Sequence, residues 1–149
     1  MNHGWTYRDR ITAADSGSTL PAYYARRYPH STVTEWRTRL AEGRITRNGH
    51  PAGAAETLAA GDLLAWRRPP WEEPPVPRAF TVLFEDADLL AVDKPAGLPV
   101  LPGGGYVEHT LLHLLRQRTP ATPPVPLHRL GRGTSGVILF ARSGCARSG

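Results

Sequence analysis

Residues 82–100, VLFEDADLLAVDKPAGLPV, and residues 127–143, LHRLGRGTSGVILFARS, decide how the C-terminal part of this chain folds. The run from Phe80 to Glu85 is rich in β-branched and aromatic residues and reads as a strand. Asp86-Ala87-Asp88 reads as a turn, and Leu89 to Lys94 as a second strand that Pro95 stops. VILFA, residues 137–141, is a further apolar strand. Between these strands, Thr110 to Arg118 has helical spacing, with Leu111, Leu112, Leu114 and Leu115 as its buried side. Gly97 and the glycines at 103–105 mark loops. Strands joined through a single helix give an α+β fold.

Two short patterns in the same region point elsewhere and fail on context. Gly131, Gly133 and Gly136 satisfy G-x-G-x-x-G, which holds a pyrophosphate when it follows a strand and opens a helix. Here a strand follows, so the nucleotide reading falls. Ser135 lies in Gly133-Thr134-Ser135-Gly136, one residue short of the G-x-S-x-G elbow of a serine hydrolase. The six histidines have no ligand spacing with carboxylates or with the one cysteine, Cys145, so the expected metal site is none. A lone cysteine also gives no disulfide framework. No apolar run has signal-peptide or membrane-spanning length, which leads to an expectation of a cytoplasmic protein with no membrane association.

Working outward toward the N-terminus, residues 69–79, PPWEEPPVPRA, hold five prolines. Such density favours an extended, semi-rigid spacer, and the reading places a domain boundary there. The expected organisation is a first domain at 1–68, a linker at 69–79 and a second domain at 80–149. In the first domain Leu20, Tyr23, Tyr24 and Arg27 follow helical spacing, and Pro21 sits in a first turn that tolerates proline. Thr32 and Glu35 have capping-box spacing and open a second helix, whose apolar face is Val33, Trp36 and Leu40 and whose end is Gly43. Asn48-Gly49 marks a hairpin turn, and Gly61-Asp62 leads into the strand LLAW.

The formal net charge is +5 with a sequence pI near 10.0, which favours a polyanionic partner. The candidates for contact with nucleic acid are Arg26, Arg27, Arg37, Arg39, Arg44, Arg47, Arg67 and Arg68. Acidic residues between positions 16 and 68 are scarce, and arginine without acidic partners favours phosphate.

Two resemblances sharpen these readings. STVTEWRTRLAEGRITRNGH through LAAGDLLAW resembles the S-four-like RNA-binding domain, in which a helix pair and the following strand present basic residues to RNA. Arg47 stands where that family carries an apolar residue. The two segments quoted at the outset resemble, in order and over roughly residues 80 to 143, the RluA-type RNA pseudouridine synthases. The resemblance implies an N-terminal RNA-binding module followed by the first part of a mixed-sheet catalytic domain, acting on tRNA or rRNA without a cofactor and with no obligate protein partner. The implied reaction detaches uracil from its ribose, rotates it and reattaches it through carbon. That needs an ionised carboxylate at the sugar and a nucleotide taken out of its stack.

In that family the aspartate of the HRLD motif supplies the carboxylate. This sequence has Gly131 there. Arg129 matches the arginine that helps displace the target nucleotide, and His128, Thr134 and Ser135 match the loop that shapes the site. Lys94-Pro95 matches the opening motif, with a structural role. Asp93, Asp88 and Glu108 are the nearby acids that could stand in for the aspartate. The resemblance also places a tyrosine against the base and a basic partner of the aspartate in later strands, which this sequence does not include. The expectation is a family member inactive as this chain, with a non-catalytic RNA-binding protein as the alternative.

Overall fold

Local signals in the first seventy residues give a helix pair on an antiparallel sheet. In the computed structural model, which describes residues 1–147, the chain divides into two compact units: His3–Pro70, and Met1–Asn2 with Trp71–Gly149. The first holds β1 (Trp5–Arg10), α1 (Leu20–Arg27), α2 (Val33–Ala41), β2 (Ile45–Arg47), β3 (His50–Pro51) and β4 (Leu63–Arg68). Its sheet order is β1-β4-β2-β3. The capping box that opens α2 is complete: the Glu35 N–H donates to Thr32 Oγ1 at 3.2 Å, and the Thr32 N–H donates to Glu35 at 2.7 Å. At its other end Gly43 takes φ +69°, and Arg44 N–H reaches the Arg39 carbonyl at 3.0 Å, the closing bond of a Schellman motif. Asn48 and Gly49, at φ +51° and +84°, make the two-residue hairpin turn between β2 and β3.

One face of this sheet meets the helices through aromatic rings. Tyr24 stacks on Trp36 at 4.6 Å between centroids, Trp36 meets Trp66 edge-on at 4.7 Å, and Tyr7 stacks on Trp66 at 4.8 Å. Such pairs add about 0.5–1.5 kcal/mol each beyond the area they bury. Val33, expected on the apolar face of α2 with Trp36 and Leu40, is instead half-exposed at the helix's first position. The strand β1 was not foreseen. It supplies Tyr7 to the core and pairs along its whole length with β4.

The second unit holds β5 (Thr81–Glu85), β6 (Leu89–Lys94), α3 (Leu111–Arg118), β7 (Val125–Pro126) and β8 (Gly136–Ala141), with sheet order β5-β6-β8-β7. The α+β class holds. The described strands are all antiparallel rather than mixed, because β8 begins at Gly136, directly opposite the residue where β6 ends, Lys94. Leu90, Val92, Ile138 and Phe140 form the core with Leu98, Val100 and the leucines of α3. On the opposite face Phe84 and Val137 remain 53% and 51% exposed. Asp86 closes the β5–β6 turn by accepting the N–H groups of Asp88 and Leu89. No helix among the described residues is long and apolar enough to cross a membrane.

The proline-dense stretch has no helix or strand, yet from Trp71 onward it is fixed to the second unit rather than standing free. Trp71 Nε1 donates to the Gly105 carbonyl at 2.8 Å. Glu73 is buried, and its carboxylate accepts from the N–H groups of Val107, Glu108 and His109 at 2.8–2.9 Å and from the Asn2 amide at 2.6 Å. Burial alone would raise the Glu73 carboxyl. The Glu108 N–H, the Asn2 amide and the His109 and Val107 N–H groups outweigh it and hold the group at about 2.

A carboxyl held lower in the folded chain than in the unfolded one stabilises above its unfolded value and loses that contribution as pH falls toward its folded value. From an ordinary value near 4.5 to about 2, the contribution at neutral pH is at most about 3 kcal/mol. The stability of this unit, followed by amide exchange across residues 107–118, is therefore expected to fall between about pH 5 and pH 2. Glu73→Gln is expected to lower it at pH 7, with the two curves converging toward pH 2. Parallel curves over that range would refute the assignment.

Candidate active site

The buried end of β6 organises the second unit's loops. Lys94 is fully buried, and its ammonium donates to the carbonyls of Pro95 at 2.9 Å, Leu98 at 2.8 Å and Arg132 at 3.4 Å. No carboxylate faces it, and desolvation pushes it below its ordinary value. The Arg132 carbonyl also accepts the Gly97 N–H at 2.7 Å. Two backbone segments far apart in sequence, 95–98 and 131–134, thus share one cation. Thr134 N–H closes the second segment on the Gly131 carbonyl at 3.1 Å. The Arg132 guanidinium donates to the Tyr106 hydroxyl and lies 5.4 Å from the centre of its ring. Tyr106 belongs to the same loop that Glu73 anchors through residues 107–109.

Between these segments is an open cleft of about 400 Å³, lined by Pro99, Val100, Leu101 and Pro102 on one side and by residues 129–132 on the other. Arg129 and Gly131 therefore share it. Gly131 is not forced by its backbone: a Cβ there would meet only Thr134 Oγ1, at an ordinary 3.5 Å. His128 lies outside the cleft lining, and its Nε2 accepts the Leu139 N–H at 3.0 Å, beyond the end of β7. Thr134 and Ser135 are exposed and do not line the cleft, and their hydroxyls make no hydrogen bond among the described residues. The turn is pinned through its backbone and Lys94.

None of the lining residues is a carboxylate. Asp93 sits in β6, exposed on the sheet face opposite the core. Asp88 accepts from the Ser143 hydroxyl. Glu108 lies in the loop on Glu73, away from the cleft lining. Among the described residues no group of three or more His, Cys, Asp or Glu side chains is placed to hold a metal ion.

The arginines of the first unit are less free than their sequence neighbourhood suggests. Arg47 pairs with Asp62 at 2.7 Å and Glu56 at 3.2 Å, Arg44 with Glu42 at 2.8 Å, Arg27 with Asp9 at 3.6 Å, and Arg26 with Asp15. The expected shortage of acidic partners fails: Glu42, Glu56 and Asp62 pair within the stretch, and Asp9 and Asp15 reach in from the N-terminal segment. Arg39 lies over Trp36 at 4.3 Å and Trp66 at 5.3 Å. Arg37 and Arg67 are exposed and carry no ion pair among the described residues, and Arg68 is partly buried in β4. Sequence reading missed Arg8, Arg10, Tyr106, Arg132 and Glu73. Only the alternation of β1, with Trp5 and Tyr7 against Thr6, Arg8 and Arg10, carried a usable signal.

The family described as "RNA pseudouridylate synthase" matches residues 88–148. A Synechocystis protein named an uncharacterized RNA pseudouridine synthase is 46% identical over 84% of this chain and 43% of its own length. RNA pseudouridine synthase 5 of Arabidopsis thaliana is 37% identical over 99% of the chain and 44% of its own length. Ribosomal large subunit pseudouridine synthase D of Xylella fastidiosa is 30% identical over 94% of the chain and 44% of its own length. The chain spans less than half the length of these relatives. With its two signature segments joined through Lys94, and with relatives all named as pseudouridine synthases along 84–99% of its length, the chain belongs to the RluA-type family of RNA pseudouridine synthases.

Proposed function

We propose that this chain takes part in the conversion of uridine to pseudouridine in tRNA or rRNA. In this reading the cleft at Gly131 receives the target nucleotide and the first unit, an S-four-like module, holds the surrounding RNA. One observation carries it. The buried Lys94 ammonium fixes the loop that sets Arg129 beside Gly131 in an open cleft, the place where the resemblance puts nucleotide displacement and sugar chemistry. The relatives' names, one of them specifying the large ribosomal subunit, support a polyribonucleotide substrate. The reaction rearranges bonds within one nucleotide and so consumes no redox cofactor. The proposal includes a cytoplasmic location and no obligate protein partner.

The same cleft argues that this chain alone holds RNA without turning it over. The step at the sugar requires an ionised carboxylate within reach, and the lining offers arginine, proline, aliphatic side chains and glycine. Loss of a nucleophile removes several orders of magnitude in rate in enzymes where it has been dissected. Tritium release from carbon-five-labelled uridine in bulk cellular RNA is therefore expected to equal a no-protein control. Release above that control would show that a carboxylate reaches the cleft from elsewhere, and Asp93→Asn is the first variant to make.

Gly131→Asp is expected to fold, with stability within about 1 kcal/mol of the parent, because the added Cβ meets only ordinary contact. It is expected to release no tritium, since a carboxylate alone supplies neither a ring against the base nor a dedicated basic partner. Turnover by this variant would overturn the claim that more than the carboxylate is lacking. Lys94→Met leaves three carbonyls without their shared donor. It is expected to cost about 2–4 kcal/mol and to speed exchange of the Gly97 N–H, read by hydrogen-exchange mass spectrometry.

A further inference from the structure

Charge in the first unit is unevenly satisfied. Residues 3–70 contain ten arginines, no lysine and six carboxylates. Every carboxylate is engaged. Asp9, Asp15, Glu42, Glu56 and Asp62 are in ion pairs, and Glu35 caps α2. Arg8, Arg10, Arg37 and Arg67 have no carboxylate partner among the described residues. Three of these four share one surface.

Register puts them there. In the β1–β4 pairing Thr6 faces Arg67, Arg8 faces Ala65 and Arg10 faces Leu63. Leu64 and Trp66 point into the core, so their alternates Leu63, Ala65 and Arg67 point out, and Thr6, Arg8 and Arg10 lie on the same outer face. Arg8 and Arg10 are then about 7 Å apart along one strand, and Arg67 is the diagonal neighbour of Arg8, about 7–8 Å away. A groove of about 370 Å³ runs beside Arg8 and Arg10, lined also by Leu63, Leu64, Ala65 and Asp9 and ending at the Asn48-Gly49 turn. Leu63 is 50% exposed within it.

Three like charges this close repel one another, and Asp9, the carboxylate between Arg8 and Arg10 in the strand, alternates to the other face and pairs with Arg27. A polyanion relieves that repulsion and releases its own counterions. We infer that this outer sheet face, with Arg8, Arg10 and Arg67, is where the first unit holds RNA, and that the helix arginines Arg26 and Arg27 are not. The inference rests on the proposed function for the choice of RNA as the polyanion. The guanidinium groups contact phosphate and position the strand, and Leu63 offers an apolar contact to a sugar or base. The contact is therefore insensitive to sequence.

The test is fluorescence anisotropy of the full chain with a labelled tRNA transcript across a series of potassium chloride concentrations. Arg8→Ala/Arg10→Ala/Arg67→Ala is expected to weaken binding at least tenfold at moderate salt. It should also flatten the slope of log affinity against log salt by about 2, since each lost phosphate contact removes about 0.7–0.9. Arg26→Ala/Arg27→Ala is expected to change affinity less than threefold. The triple lysine variant should stay close to the parent, which separates lost charge from lost folding.

An alanine triple that binds like the parent would overturn the inference, as would equal losses from the helix pair. Binding to phosphatidylglycerol vesicles as tight as to tRNA would overturn RNA as the occupant. A parent chain that binds no RNA at low salt would sink this inference and the proposed function together. RNA binding that ignores the sheet arginines sinks only the inference.

Discussion

A buried ammonium with no carboxylate to neutralise it is held by carbonyl dipoles alone, and the candidate site is arranged around that constraint. Moving a lysine out of water is costly, and the cost is met only if its donors all find acceptors. Lys94 meets this by drawing in the carbonyls of Pro95, Leu98 and Arg132. Once the Arg132 carbonyl is committed, the turn from Gly131 to Thr134 has little freedom left, and Arg129 and Gly131 are set where the cleft opens. The second fastening comes from Glu73. Its carboxylate gathers three successive N–H groups of the loop carrying Tyr106, whose hydroxyl accepts from Arg132. One cation and one anion, neither facing an opposite charge, fix the two sides of a single cleft.

The first unit solves burial differently. Its core is a sequence of rings, and it leaves the Tyr24 hydroxyl, the indole N–H groups of Trp36 and Trp66, and one Arg39 nitrogen buried without hydrogen-bond partners. Each such group costs about 1–3 kcal/mol when nothing compensates. The compensation visible here is the Arg39 guanidinium over two indole faces and the extensive ring contact. The Tyr24 hydroxyl, deep in this cluster, is pushed well above its ordinary value by burial, with Asp9 adding to the effect. Most arginines in this unit are therefore ion-paired, laid on tryptophan, or left facing solvent from the sheet or, as Arg37, from α2.

What could be read in the sequence was local. The capping box at Thr32 and Glu35, the glycine after α2 and the Asn48-Gly49 turn are each settled within five residues, and each formed as read. The quoted motifs gave β5, β6 and β8 because their apolar runs are continuous. What escaped depends on partners far along the chain. Composition made residues 71–79 look like a spacer, but Glu73 is satisfied by amides more than thirty residues downstream. Asp9 meets Arg27 of α1 from β1, a strand held in place by its pairing with β4. At the site, sequence placed Arg129 and Gly131 in one loop, but the wall opposite them, Pro99 to Pro102, depends on the acceptors that Lys94 selects.

Lys94 is also the only lysine in the chain. In the folded state its amine is closed to solvent, so reagents that acylate amines find no exposed lysine on the folded chain and leave the arginine-rich surfaces untouched. Acylation of Lys94 needs the second unit to open, so the appearance of a label on that lysine is a clock for the opening.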